Sequence, residues 1–182
     1  VLDISRIERG SLSISLEPTP FTNLIDEVTD FIRPSAAARG ISIHVNVDKT
    51  GPRYVLADRQ RLRQVLANLL SNAVKYNSDN GSVDVSVQTV ENGNVARFGI
   101  SDTGPGIDQN SIEKLFIPFE RLDAQQRGIE GTGLGLVVSR QLTEGMGGAM
   151  SVSSTVGTGT TFFVDLQTVE PNVAHRALED ND

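Results

Sequence analysis

Cysteine and tryptophan are missing from this 182-residue chain, and aromatic residues of any kind make up only 5% of it. Without cysteine there are no disulfides and no thiolate metal sites, which is the usage expected in a reducing, cytoplasmic setting. No apolar run approaches the roughly 18 residues of a membrane span, so no direct membrane contact by this segment is expected. Positive charge is short as well: 16 Lys and Arg stand against 23 Asp and Glu, a net charge of −7. That balance excludes a nucleic-acid surface, which needs a basic patch to displace counterions. Histidine occurs only at His44 and His175, neither with an acid or nucleophile near it in sequence, so both read as structural. A signal peptide is lacking too, and Val1 opens in mid-pattern, which reads as a piece of a longer protein.

What the chain does have is glycine, unevenly placed. Eleven of its seventeen glycines fall between Gly104 and Gly159, concentrated in Asp102-Thr-Gly-Pro-Gly-Ile107 and Gly131-Thr-Gly-Leu-Gly-Leu136. Residues without a Cβ let the backbone approach a ligand closely. Upstream, Asn68 and Asn72 stand at i and i+4, followed by Lys75 and Tyr76. Carboxamides, a cation, an aromatic ring and bare amides together suit a magnesium–nucleotide. An anionic chain repels a polyanion at long range, so such a site must neutralise its ligand locally.

Periodicity gives the frame. Leu2 to Gly10 reads as the end of a helix, and Ser11 to Glu17 alternates as a strand closed by Pro18 and Pro20. A helix follows from about Asn23, with a kink or break expected at Pro34 before Gly40. Ile41 to Val47 and Tyr54 to Ala57 read as strands. Asp58 caps a long helix with the apolar stripe Leu62, Val65, Leu66, Leu69, Leu70, Ala73 and Val74. At ~100° per residue, Asn68, Asn72, Lys75 and Tyr76 gather on one flank of that stripe.

Ser82 to Val90 and Val95 to Ser101 form a hairpin through Glu91-Asn-Gly-Asn94. A short helix spans Asp108 to Leu115, and Phe116 and Phe119 anchor the aperiodic segment Glu120 to Glu130. Leu134 to Met146 is helical, strands follow at Ala149 to Ser154 and Thr160 to Leu166, and an acidic, disordered tail is expected at 169–182. This order predicts a two-layer α/β sandwich, a mixed, mostly antiparallel sheet with helices on one face.

The chemistry of the candidates is specific. Magnesium keeps several waters and needs only one or two protein oxygens beside ligand phosphates, which carboxamides supply without adding negative charge. In isolation Asn68 and Asn72 would be helix-edge residues meeting solvent. Asp102 either closes an Asx-turn on its own loop or accepts a hydrogen bond from an adenine amino group, where guanine presents a repelling oxygen. Gly131 to Leu136 opens a helix whose free amides suit phosphate oxygens. It is not a P-loop, since no Gly-Lys-Ser/Thr follows, and it does not follow the first strand of a βαβ unit as a dinucleotide fingerprint would. Lys75, Arg121, Arg127 and Arg140 are the available cations, any one of which alone would read as a solvated surface charge.

These motifs carry a resemblance. Asn68-Leu-Leu-Ser-Asn72-Ala-Val-Lys75-Tyr76 resembles the N box of sensor histidine kinases. Asp102-Thr-Gly-Pro-Gly106 resembles their first glycine box and Phe116 to Phe119 their F box. Gly131-Thr-Gly-Leu-Gly135-Leu and Gly157-Thr-Gly-Thr160-Thr-Phe162 are similar to their two later glycine boxes, and Leu2 to Gly10 to the end of the dimerisation helix. The likeness covers about residues 2 to 166, with five motifs in order.

It implies a Bergerat-type ATP-binding fold over 11–168, preceded at 1–10 by the end of the phosphotransfer helix and carrying a lid at Glu120 to Glu130. Carried over, Asn72 is the main Mg²⁺ ligand with Asn68 assisting, and these two with Lys75 form the catalytic set. Asp102 reads the adenine amino group, Thr160 helps through a water and Tyr76 lines the base pocket. Gly104, Gly106 and Ile107 border the ATP. Lys75, Arg121 and the run Gly131, Thr132, Gly133, Leu134, Gly135 and Leu136 hold phosphates.

The ATPases of the wider superfamily carry a glutamate base where this chain has Asn68, so transfer rather than hydrolysis is implied. No histidine here lies in a His-Glu/Asp-x-x-x-Pro context, so the acceptor belongs on a dimerisation domain beyond this segment. The further partners implied are a response-regulator receiver domain and a second copy of the full-length protein, and the localisation implied for this part is cytoplasmic. A serine kinase of the anti-sigma type shares the fold, and a silent nucleotide-sensing or scaffolding module is the reading from another class.

Overall fold

The computed structural model describes residues 13–48, 50–119 and 133–170. The expected helix end at 1–10, the lid at 120–130, Arg121, Arg127, Gly131, Thr132, His175 and the tail from Pro171 lie outside these residues.

The first element is strand β1, Glu17–Pro20, which runs into helix α1, Phe21–Ala37. Strands β2, Ser42–Val47, and β3, Tyr54–Ala57, precede helix α2, Arg59–Lys75. The hairpin of β4, Ser82–Val90, and β5, Val95–Asp102, turns through a 3-10 segment at Glu91–Gly93. Then come the short helix α3, Gln109–Ile112, helix α4, Gly135–Gly145, and the strands β6, Ala149–Thr155, and β7, Gly159–Gln167.

Five strands form one sheet in the order β2-β4-β5-β7-β6. Among the described residues only β2 and β4 run parallel; the other pairs are antiparallel, β4–β5 and β6–β7 as hairpins and β5–β7 between strands far apart in sequence. Alternation sorts the two faces. Val83, Val85 and Val87, with Ala96, Phe98, Ile100, Phe162, Val164 and Leu166, are buried under the helices. On the opposite face Arg97 makes a two-pronged pair with Asp165 at 2.8 and 2.7 Å and lies over the Phe163 ring. The Phe21 ring meets Phe98 edge-on at 5.4 Å, which seats α1 on the sheet. The expected two-layer α/β sandwich is therefore the architecture.

Helix α2 carries out the sequence expectation closely. All seven residues of its apolar stripe are buried, and Asp58 Oδ1 caps it by accepting from the Arg61 amide at 3.1 Å. Each of its buried leucine and valine side chains contributes on the order of 1.5–3 kcal/mol relative to an exposed one. The stripe therefore fixes which flank of α2 stays open.

Several expectations are corrected. Among the described residues Ser13–Leu16 pairs with no strand: the Ser15 amide donates to Asp58 Oδ2 at 3.1 Å and Ile14 packs on the core. Alternation produces an extended run, but a ladder needs a partner. The pairing strand is instead Glu17–Pro20, against β3. Its two prolines are tolerated because a two-stranded sheet is all edge, and alternate residues of an antiparallel strand donate nothing to the partner. Finally, α1 starts at Phe21 and runs through Pro34 to Ala37. Pro34 removes only the bond to the Asp30 carbonyl, close to the helix end, while the Ala38 amide still reaches the Pro34 carbonyl at 3.1 Å. The expected 108–115 helix is two short pieces, α3 and a 3-10 turn at Glu113–Phe116. At the C-terminal end, the Val169 amide donates to the Tyr54 carbonyl at 3.0 Å, so the first residue of the expected tail is tied to β3.

Candidate nucleotide site

The candidate residues converge at one end of the sheet, between α2, α4 and the ends of β5 and β7. Asn68, on α2, donates from Nδ2 to Ser139 Oγ of α4 at 2.9 Å. A hydroxyl accepts from the amide nitrogen, so this bond fixes which way the carboxamide points and leaves Oδ1 as the unspent acceptor. Oδ1 lies where a Cβ on Gly135 would be, so a side chain at 135 would displace it. Asn72, one turn on, is half-buried, and its side chain makes no hydrogen bond to another described residue. Lys75 follows with Nζ 5.6 Å from the Tyr76 ring centre. Tyr76 itself is 38% exposed, a large ring presented to solvent at the helix end.

Asp102 closes β5 opposite Thr160 at the start of β7. Its Oδ1 accepts from the Gly104 amide at 2.8 Å, so the Asx-turn is formed. The turn uses one carboxylate oxygen, and a carboxylate can accept several bonds. Burial pushes the carboxyl above the ordinary range, against the opposing pull of the Gly104 and Thr160 backbone amides. A partly desolvated carboxylate is short of partners, and a neutral amino donor suits it.

Thr160 is 5% exposed and shares a hydrogen bond with Ser154 Oγ at 2.8 Å. Ser154 also accepts from the Ile107 amide at 2.8 Å and donates to the Gly159 carbonyl at 3.0 Å. This serine, outside every motif, holds the first glycine loop to the β6–β7 turn. The Gly157 amide reinforces it with a bond to the Pro105 carbonyl at 2.8 Å.

The start of α4 has no side-chain cap. Leu134 is buried and Gly133 precedes it in the left-handed region at φ 72°. The Phe119 amide bonds the Gly133 carbonyl at 3.3 Å and so joins the F-box segment to the second glycine stretch. Arg140 is committed elsewhere: its guanidinium lies 4.8 Å from the Phe116 ring centre and pairs with Glu144 at 3.0 Å. Of the four cations named from the sequence, the described residues leave Lys75 at the site. His44 is exposed on edge strand β2.

Among the described residues no group of three His, Cys, Asp or Glu could hold a metal. The donor set present, two carboxamides with one oxygen each to offer, fits a hard ion brought in by phosphates rather than one held by the protein alone.

The sequence reading missed Ser139, Ser154, Asn77 and Arg39. None is in a glycine-rich stretch, and each acts through a partner from 5 to 71 residues away, a relation that local pattern does not carry.

A model of the histidine kinase-, DNA gyrase B- and HSP90-like ATPase family matches residues 57–170, more than half of the chain. The chain belongs to this ATPase family. It is thereby an ATP-binding domain, and the relatives it resembles are sensor histidine kinases. It is 35% identical over 178 residues to the signal transduction histidine-protein kinase BarA of Escherichia coli, a match covering 95% of this chain and 19% of BarA. Against the circadian input-output histidine kinase CikA of Synechococcus elongatus it is 37% identical, over 100% of this chain and 24% of CikA. The fold matches full-length ShkA, solved with AMPPNP, at a TM-score of 0.81 and 32% identity, over 92% of this chain and 35% of that one. It also matches the mycobacterial sensor histidine kinase MprB at a TM-score of 0.73 and 28% identity, over 85% of this chain and 98% of that one. The chain thus corresponds to the ATPase-like portion of these kinases. Among the described residues no helix is long and apolar enough to cross a membrane.

One consequence for the ATPase domain concerns Ser139, which is 2% exposed. Ser139→Ala leaves the Asn68 carboxamide free to flip, and is expected to weaken ATP binding about three- to tenfold, one hydrogen bond's worth. Calorimetric titration of the variant checks this, and unchanged affinity removes Ser139 from the site.

Proposed function

We propose that this domain is the phosphoryl-donor half of a sensor histidine kinase. ATP lies between α2, the Asp102 loop and the start of α4, and its γ-phosphoryl passes to a histidine on a dimerisation domain outside this chain. The observation that carries this reading is the joining of the N-box flank of α2 to α4, the helix opened by the second glycine stretch, through Asn68 and Ser139, with the loop of half-buried Asp102 meeting the other end of the flank at Tyr76.

In this reading Asp102 accepts from the adenine amino group, supported by Thr160, and Tyr76 lines the base pocket beside Gly104, Gly106 and Ile107. Lys75, Arg121 and the amides of Gly133 to Leu136 hold the phosphates. Asn72 and, second to it, Asn68 offer oxygens to Mg²⁺, which when bound neutralises phosphate charge. Phosphoryl transfer asks mainly for positioning and neutralisation, and no carboxylate stands at position 68 to activate water. The imidazole nitrogen forms the new bond to phosphorus while the bond to the ADP oxygen breaks. The product then serves a response-regulator receiver domain. The parent is a homodimer, in keeping with the separation of donor and acceptor on different domains, with this part in the cytoplasm.

The test is transfer from labelled ATP to a separately made histidine-bearing helical hairpin. Acid-labile, base-stable label on the hairpin is expected; acid-stable label indicates a serine acceptor, and no label with intact ATP binding indicates a nucleotide-sensing module. Asn72→Ala is expected to bind ATP with the same affinity with or without magnesium, about tenfold weaker than the parent with it, the worth of one contact to a charged group. A variant that keeps its magnesium dependence removes Asn72 from the ligand set.

A further inference from the structure

We propose that Arg39, which lies in no motif, is a positioning residue for the adenine end of the ATP site. The proposal rests on the reading just given. Arg39 stands in the turn between α1 and β2, and its guanidinium reaches across to the C-terminal end of α2. Nη1 donates to the Val74 carbonyl at 2.6 Å and the Lys75 carbonyl at 3.0 Å, and Nη2 donates to the Asn77 carbonyl at 2.8 Å. Nε is held by Asp79 at 2.8 Å. The backbone is pinned too, since the Arg39 carbonyl accepts from the Asn80 amide at 3.0 Å.

The last carbonyls of a helix have no partner within it, and a fork of fixed donors carrying positive charge satisfies them and complements the helix dipole. The turn held in this way is the one that carries Lys75 and Tyr76. It continues into Asn77, which is 6% exposed. Asn77 Oδ1 accepts from Thr103 Oγ1 at 3.3 Å and from the Ser78 amide at 2.9 Å, while Nδ2 donates to the Ser82 carbonyl at 2.9 Å. Thr103 sits between Asp102 and Gly104, and its Oγ1 accepts from the Ser82 amide at 2.8 Å. A Cβ on Gly104 would lie 2.7 Å from the Tyr76 carbonyl oxygen, so loop and helix end are in direct contact. Arg39, Asn77 and Thr103 thus form a continuous clamp from the α1–β2 turn to the carboxylate that faces the base.

A clamp on the base end acts on recognition of adenine rather than on the phosphate end, and that separates it from general stability. Arg39→Met, titrated where circular dichroism shows it folded, is expected to lose about tenfold in affinity for both ATP–Mg²⁺ and AMP, the scale of lost charge-assisted hydrogen bonds. Its affinity for GTP, measured by competition, should change little, so the preference for adenine over guanine falls by the same factor. Arg39→Lys keeps the charge without the fork and should lose about threefold in the same pattern. A folded Arg39→Met with lower melting temperature but intact adenine preference overturns the proposal, as does a loss confined to ATP–Mg²⁺. Should Arg39→Met not fold, Arg39→Lys carries the test, and full adenine preference in it overturns the proposal equally. Failure of the parent domain to bind any adenine nucleotide would instead sink the functional reading on which this rests.

Discussion

Asp102→Asn is expected to bind ATP between about ten- and a hundredfold more weakly, the range for losing a hydrogen bond to a charged group, while the domain melts no lower at pH 7. The two halves of this result have one cause. Burial raises the Asp102 carboxyl above its ordinary value of 3.8. The folded state therefore holds a proton more tightly than the unfolded chain over the interval between the two values. Stability falls as pH rises through that interval, and the cost of keeping the charge is fully present above it. Asparagine removes the charge and keeps an oxygen for the Gly104 amide, so the turn survives. It also presents an amide N–H₂ group that cannot accept from an adenine amino group.

The melting temperature of the variant should equal or exceed that of the parent at pH 7, with the difference shrinking as pH falls toward 4. Parent affinity for ATP should weaken on acidification, beginning above the usual carboxylate range. A variant with full ATP affinity, measured calorimetrically, removes Asp102 from base recognition. One that melts well below the parent at pH 7 shows that the carboxylate holds the fold rather than the ligand.

Gly159→Ala should be more damaging than any substitution in the residues proposed to hold phosphate. Gly159 lies at φ 141°, a region that L side chains rarely adopt, and a Cβ there would be driven into the Asp102 carbonyl oxygen. The obstacle is backbone in a paired strand and cannot rotate away: the next carbon of Asp102 would be 2.9 Å off and the Thr103 Cα 3.2 Å. Strain of this kind costs about 1–3 kcal/mol by itself, and the clash adds to it. A destabilisation of about 3 kcal/mol or more is expected, a large share of the 5–15 kcal/mol that holds a typical domain. Because β7 must move off β5 where Asp102 stands, ATP affinity should fall with stability. Urea unfolding followed by titration tests both, and a variant with an unchanged midpoint contradicts the close approach of the two strands.

Much of this domain could be read from its residues. The apolar stripe of α2 has a helical period over four turns, and that period places Asn68, Asn72, Lys75 and Tyr76 on one flank before any partner is known. The hairpins around β4 to β7 follow from alternation and turn chemistry, both local. The glycine runs announce a backbone that approaches a ligand. Where the reading went astray, at Ser13–Leu16 and at Pro34, local preference was real but outranked. An alternating run found a cap rather than a ladder, and a proline near a helix end costs too little to stop it.

The sequence by itself therefore determined most of the elements and the family, because periodicity and motif spacing act within a few residues. Tertiary structure alone decided how those parts are held. Arg39 meets the end of α2 and the turn after it across 35 to 38 residues, Ser139 meets Asn68 across 71, and Ser154 meets Ile107 across 47. Such bonds depend on which surfaces the packed sheet and helices bring within 3 Å of one another, and no local pattern encodes that distance.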